Sequence, residues 1–445
     1  MKKFNEVELE PPKFYRTEGE VVRRFTRLST LNFSVDANFY PLGSCTMKYN
    51  PKICDFISTL PGLRELHPMR IGEDSAQART LRRILSELNE MLSDLCGFSS
   101  FSLSPAAGAH GELSGCLIIR KYHADRNDSI RNEMLIPDSA HGTNPASAAI
   151  AGFKVVTIKS GPTGCVDIDD LKRHLSNRTA GMMMTNPNTL GLFEERVLEI
   201  CELVHSAGGL MYYDGANLNA IVGVSSPGAM GFDVGHINLH KTFAVPHGGG
   251  GPGAGPIGVR KGLEDLLPGP IFSGGKMISP SRSIGKVIGF NGNVGALVRA
   301  WAFIKTLGSE GVERASRDAV IAANYVRVSL KDIYPSFVSE RFCAHEVLLS
   351  AEKLKREKGI NALMVAKALI QMGFHPPTIY FPMLVHEALL IEPTETENLE
   401  TLDEFISAMR RIAELSLEEI SKFPNNTIIR HPDEARAARN PVLKG

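Results

Sequence analysis

Between residues 75 and 96 the apolar positions Leu81, Ile84, Leu85, Leu88, Met91, Leu92 and Leu95 recur at helical spacing with charges between them, which predicts an amphipathic helix. Beyond it the pattern changes. Short, nearly continuous apolar runs at 134–137, 154–158, 181–185, 210–213 and 234–239 read as strands buried on both faces. Helical segments are expected between them at 108–122, 167–175 and 194–207. Such alternation predicts an α/β fold, a mostly parallel sheet with helices on both faces. A glycine- and proline-dense stretch, 247–258 (HGGGGPGAGPIG), follows and runs into another apolar segment at 256–259. It lacks the serine padding of a flexible linker, so its glycines point to close passage of backbone past a ligand or another chain.

Three regions follow from this pattern. Residues 1–74 form an extended lead-in, with a short helix at 20–27 and loop chemistry at 38–51 (NFYPLGSCTMKYNP). Residues 75–310 form a large α/β domain. Helical segments at 294–307 and 312–330 lead into a smaller α+β domain, 311–445, with strands near 347–351 and 388–392 and helices at 362–372 and 399–422. No internal repeat is visible.

Composition narrows the classes of function. With 49 basic and 49 acidic residues the formal charge is zero, so neither nucleic acid nor an anionic membrane is expected as the main partner. No apolar run approaches a membrane span, and the start resembles neither a signal nor a transit peptide, so a cytoplasmic location is expected. The seven cysteines are scattered and none has CxxC spacing, so no metal site or disulfide framework is expected.

The chemistry concentrates at strand ends. Lys241, in NLHKT, ends one apolar run, and a lysine at the mouth of a buried strand is costly unless its amine is used. Desolvation turns such an amine into an imine former, although a lone lysine also reads as a surface residue. Asp214, in YYDGAN, ends the preceding strand, and in a parallel sheet both residues fall on one ligand-binding rim. A pyridoxal-phosphate site needs this pair, a lysine for the aldehyde and a carboxylate for the pyridine nitrogen. The small residues of PAAGAHG at 105–111, at a helix start, would supply backbone amides to the phosphate. His141, in PDSAHGT, either stacks on the cofactor ring or is a spectator in a helix cap. Asn188, in TNPNT, either offers an amide to the cofactor's phenolic oxygen or belongs to a simple turn.

These segments together resemble the glycine dehydrogenase (decarboxylating) family, the P-proteins of the glycine cleavage system, and within it subunit 2 of the split two-subunit form. The matching runs are FYPLGSCTMKYNPK (39–52), PAAGAHGEL (105–113), PDSAHGTNPA (137–146), TNPNTLGLFE (185–194), YYDGANLNAI (212–221) and NLHKTFAVPHGGGGPGAGPIGV (238–259), with GFHPPTIYFP (373–382) and IEPTETE (391–397). The resemblance implies the fold type I, aspartate-aminotransferase-like architecture. It implies pyridoxal 5'-phosphate bonded to Lys241, with Asp214 on the pyridine nitrogen, Ala216 beneath the ring and His141 above it. Ala107, Gly108 and Ala109 would hold the phosphate, helped by His240 or Thr242. It further implies decarboxylation of glycine, transfer of the aminomethyl group to the lipoyl arm of an H-protein, and pairing with subunit 1 as two heterodimers. The stretches 247–258 and 39–45 would wall the lipoyl channel, with Cys45 either a structural thiol or one that exchanges with lipoyl. The short acidic lead at 5–20 and the Ser/Gly-rich segment 271–286 depart from the family pattern. Two alternatives stand beside this: a fold type I decarboxylase or carbon–sulfur lyase acting alone, and a non-catalytic homologue.

Overall fold

The computed structural model describes residues 17–247, 253–338, 340–428 and 432–441. Residues 248–252 of the stretch 247–258 therefore lie outside the described residues. The expected apolar runs form strands of one seven-stranded sheet. In chain order they are β1 (Ser100–Ser102), β2 (Glu133–Pro137), β3 (Lys154–Ile158), β4 (Thr179–Thr185), β5 (Leu210–Gly215), β6 (Val234–Ile237) and β7 (Ile257–Val259). Their spatial order is β1-β7-β6-β5-β4-β2-β3. β6, β5, β4, β2 and β3 run parallel, while β7 runs against both its neighbours.

Burial on both faces accounts for the continuous apolar runs of β2, β4, β5 and β6, whereas β3, also expected to be buried on both faces, is an edge strand in which only Ile158 is buried. Met182, Met184, Met211 and Tyr213 enter one hydrophobic cluster, whereas the alternating residues Met183, Leu210 and Tyr212 enter another. The first cluster also takes the apolar stripe of α1 (Ala76–Cys96). That helix begins where the Ser75 hydroxyl accepts the Ala78 amide, and it ends at Gly97 in the left-handed conformation.

Where the structure departs from the pattern, the cause is local. β1 and a hairpin of β8 (Ile271–Ser273) and β9 (Lys276–Ile278) are too short and polar to register as runs. The expected helix across 399–422 ends at Glu414, because Ser416 starts a separate turn, Leu417–Ile420, through a capping box with Glu419. The two helices expected at 294–307 and 312–330 are both present: the stretch Val294–Leu330 is broken at Gly308, whose φ of 65° and ψ of −178° are non-helical. Its second half contributes Ala323, Val326 and Leu330 to a further cluster with a three-stranded antiparallel sheet. That sheet comprises β10 (Val347–Ser350), β11 (Thr378–Ile379) and β12 (Ala388–Ile391), in order β10-β12-β11. Among the described residues no helix is long and apolar enough to cross a membrane.

One packing contact fixes the geometry that matters for function. α2 (Gly108–Ala124) lies directly on β5 and β6 through its glycines. A Cβ at Gly115 would stand 2.1 Å from the Tyr212 ring, and one at Gly111 would stand 2.6 Å from His236 Cβ. The missing side chains let the helix N-terminus reach the end of the sheet. Gly115→Val is therefore expected to destabilise the protein by about 1–3 kcal/mol through overpacking. Denaturant melts would check this; an unchanged midpoint would refute the close approach.

Candidate active site

The carboxyl ends of the parallel strands open into a cavity of about 320 Å³, within the range of small-ligand sites. His141, after β2, lines it. So do Thr185 and Thr189 from the end of β4, Asp214 and Ala216 from the end of β5, and His240 and Lys241 after β6. Gly108, Ala109 and Glu112 close it from α2. Lys241 and Asp214 thus share one cavity wall, as their strand-end positions require.

Asp214 is 2% exposed, and each of its oxygens accepts one hydrogen bond. Its Oδ1 accepts the Ala216 amide at 3.0 Å, and its Oδ2 accepts from Asn144 Nδ2 at 3.0 Å. The β5–β6 register sets His236 opposite Asp214, with Nε2 3.5 Å from Oδ1, while the Tyr212 hydroxyl lies 2.6 Å from His236 Nδ1. Burial pushes the carboxyl up, but the His236 ring, Lys241, the Ala216 amide and Asn144 outweigh it and hold Asp214 below the usual carboxylate range. Burial likewise holds the His236 ring below the usual histidine range.

The start of α2 has no side-chain cap, so its first-turn amides are open to an anion where the helix dipole favours one. Buried polar atoms cluster around the same space. Thr185 Oγ1, Asn144 Oδ1, Asn238 Oδ1 and His240 Nδ1 have no hydrogen-bond partner among the described residues. Burial, with His247 and Lys241, drives His240 down to about 3, so its ring is neutral. An uncapped helix start, a charged carboxylate, an amine and unpartnered donors and acceptors fit a phosphorylated pyridine in donor chemistry and in size.

Three expected residues stand elsewhere. Asn188 does not line this cavity. Its Nδ2 donates to the Gly164 carbonyl at 2.8 Å and its Oδ1 accepts the Leu190 and Leu192 amides at 3.0 and 3.2 Å, so the side chain is consumed in holding its own turn. Thr242 is buried behind the wall, where its carbonyl accepts from Lys48 Nζ at 3.1 Å. Ala107 is the N-cap residue of α2, just outside the lining.

The structure also adds residues that periodicity passed over. Glu112 looks from sequence like a solvated helix residue, yet it is 5% exposed. It accepts from Thr143 Oγ1 at 2.9 Å and from Ser147 Oγ at 3.2 Å, both on α3 (Thr143–Ile150). His236 stands in an otherwise apolar strand, a signal that could have marked it. Lys48 is buried and ion-paired with Glu395, and donates to Asn219 Oδ1 at 2.7 Å.

A roof comes from two distant parts of the chain. Gly43, Ser44 and Cys45 line the cavity together with Thr378 and Phe381. Leu42 bridges Ile391, the Gly43 amide donates to the Leu390 carbonyl at 3.1 Å, and Thr378 Oγ1 donates to the Gly43 carbonyl at 2.8 Å. Behind the roof, Glu346 accepts the Ser44 amide at 2.8 Å and Glu392 accepts the Thr46 amide at 3.0 Å. Burial and the neighbouring Glu392 push Glu346 up to about 8. Burial raises the Cys45 thiol, which suits a structural role.

Comparison with known proteins agrees with this architecture. A family model described as "Glycine dehydrogenase, C-terminal domain" matches residues 315–433. The probable glycine dehydrogenase (decarboxylating) subunit 2 of Caldanaerobacter subterraneus subsp. tengcongensis is 52% identical over 436 residues, spanning 96% of this chain and 89% of its own. The crystal structure of a glycine decarboxylase (P-protein) of the glycine cleavage system, in inhibitor-bound form, matches 92% of this chain and 93% of its own with a TM-score of 0.73 at 20% identity. The sphingosine-1-phosphate lyase of Burkholderia pseudomallei K96243 matches 94% and 95% with a TM-score of 0.70 at 14% identity. The fold is that of the fold type I pyridoxal-phosphate enzymes. With half its residues shared along almost its whole length, the chain belongs to the glycine dehydrogenase (decarboxylating) family.

Proposed function

We propose that this chain is the lysine-bearing half of a two-chain glycine decarboxylase that passes the aminomethyl group to the lipoyl arm of an H-protein. The placement of Lys241 and Asp214 on the wall of one cavity, beside the uncapped start of α2, carries this reading. The extent of likeness to a subunit 2 protein supports a second, subunit 1 chain as partner. Seven free cysteines among the described residues suit a reducing, cytoplasmic setting. Residues 75–310 serve as the cofactor domain, and residues 311–445 lend Thr378 and Phe381 to its wall.

In this reading Lys241 bonds the cofactor's aldehyde carbon and the amides of Gly108 and Ala109 take the phosphate, with His240 beside them. Ala216 and His141, which line the same cavity, would flank the pyridine ring. Bound there, pyridoxal phosphate supplies an electron sink for the pair left when glycine loses CO2. Asp214, held below the usual carboxylate range, stays ionised at neutral pH and so would keep a proton on the ring nitrogen. The roof at Gly43–Cys45 and Phe381 limits access of water to the reacting carbon.

The exchange of labelled bicarbonate into the glycine carboxyl group tests this. Exchange is expected only when the chain is combined with subunit 1 and lipoylated H-protein, and Lys241→Ala is expected to abolish it. Turnover of a different amino acid by the chain alone would favour a self-sufficient decarboxylase or lyase instead. Asp214→Asn should keep the fold but lower exchange by about 10²–10³-fold, the usual cost of losing one preorganised electrostatic contact. A variant within a few fold of the parent would show that Asp214 does not hold the ring proton.

A further inference from the structure

A chain of hydrogen bonds runs along the cavity wall from Glu112 to His141. Glu112 Oε1 accepts from Thr143 Oγ1 at 2.9 Å, and the same hydroxyl oxygen lies 3.0 Å from His141 Nδ1. Ser147 Oγ donates to the other carboxyl oxygen of Glu112 at 3.2 Å, and the Thr143 amide donates to His141 Nδ1 at 3.3 Å. His141 itself lines the cavity beside Asp214 and Lys241.

The Thr143 hydroxyl has one proton to donate, so it serves one neighbour at a time. When Glu112 is ionised the hydroxyl donates to it. The shorter 3.0 Å contact between Oγ1 and His141 Nδ1 then has a proton only if Nδ1 carries the ring proton and donates, giving up the Thr143 amide and leaving Nε2 bare. When Glu112 is protonated its O–H donates to Oγ1 and the hydroxyl turns to Nδ1. Nδ1 now accepts from both the hydroxyl and the Thr143 amide, and the ring proton resides on Nε2.

We propose that Glu112, acting through the Thr143 hydroxyl, decides which ring nitrogen of His141 carries the proton, and so whether Nε2 offers the cavity a lone pair or an N–H. This deepens the function proposed above and rests on it, because His141 matters only if substrate chemistry occurs beneath it. The protons balance. One arriving from the cavity binds Nε2, Nδ1 gives its proton to Thr143 Oγ1, and the hydroxyl proton moves to Glu112 Oε1. The ring is neutral before and after, and the net uptake appears on Glu112, a positioning residue that touches no substrate.

The surroundings suit such a relay. Glu112 is faced by Asp214 and Tyr212 from β5, by Lys241 after β6 and by Cys116 on its own helix. Burial, then the Asp214 charge, push its carboxyl up to about 7, so both forms are present near neutrality. Burial, and Lys241 among its neighbours, hold the His141 ring below the usual histidine range despite Asp214, so an imidazolium is disfavoured and a tautomer exchange is the accessible change.

Nitrogen NMR of the full-length chain with labelled histidine tests this without any turnover. The His141 signals are those lost in His141→Asn. In the parent the bare nitrogen should pass from Nε2 to Nδ1 as the pH falls through about 7. That step should vanish in Glu112→Gln and in Thr143→Val and persist in Thr143→Ser, each with a parent-like thermal melt. A step that survives both disrupting variants, or no step in the parent, overturns the relay. Should Glu112→Gln fail to fold, the Thr143 pair decides alone. Because glycine and the second chain are absent, failure of the exchange assay leaves this result standing, and the reverse also holds.

Discussion

A carboxylate kept charged at the carboxyl end of a buried strand is the constraint on which the rest of this structure depends. Taking such a group out of water costs several kcal/mol unless hydrogen bonds and nearby charge compensate it. Asp214 meets that demand with contributions from three elements: the Ala216 amide from its own turn, Asn144 from α3 and His236 from β6. Each imposes a further condition. His236 must face Asp214, which fixes the β5–β6 register, and α2 must come close over His236, which excludes a side chain at Gly111. The close approach then delivers an uncapped helix start to the same crevice.

The cavity is closed by ties that span the chain. Lys48, in the N-terminal segment, joins Glu395 and Asn219 and also the carbonyl of Thr242, the residue after Lys241. Breaking a buried pair of this kind leaves an uncompensated charge, so the segment behaves as part of the core rather than as a tail. Ser44 and Thr46, both with positive φ, are held by the buried carboxyls of Glu346 and Glu392. The roof over the site therefore depends on residues some three hundred positions further along.

Sequence carried the sheet and the two ends of the chemistry because both leave strong local marks. Double-sided burial turns β2, β4, β5 and β6 into nearly unbroken apolar runs, and a lysine and an aspartate at their ends stand out against that background. The three-residue β1 and the β8–β9 hairpin leave no such mark. Asn188 illustrates a different failure: an amide at a strand end can face a ligand or its own turn, and in this chain Gly164, Leu190 and Leu192 claim it. Glu112 was hidden because a glutamate on a helix reads as solvated, and its partners Thr143 and Ser147 lie on another helix. Long-range pairing decides its role, and periodicity does not report it.

The central claim is that one particular amine, Lys241, bonds the cofactor. Loading the purified chain with pyridoxal phosphate, reducing it with borohydride and mapping the modified peptide by mass spectrometry tests this most directly. The label is predicted on Lys241. Label on another lysine such as Lys48, or none at all, would contradict it.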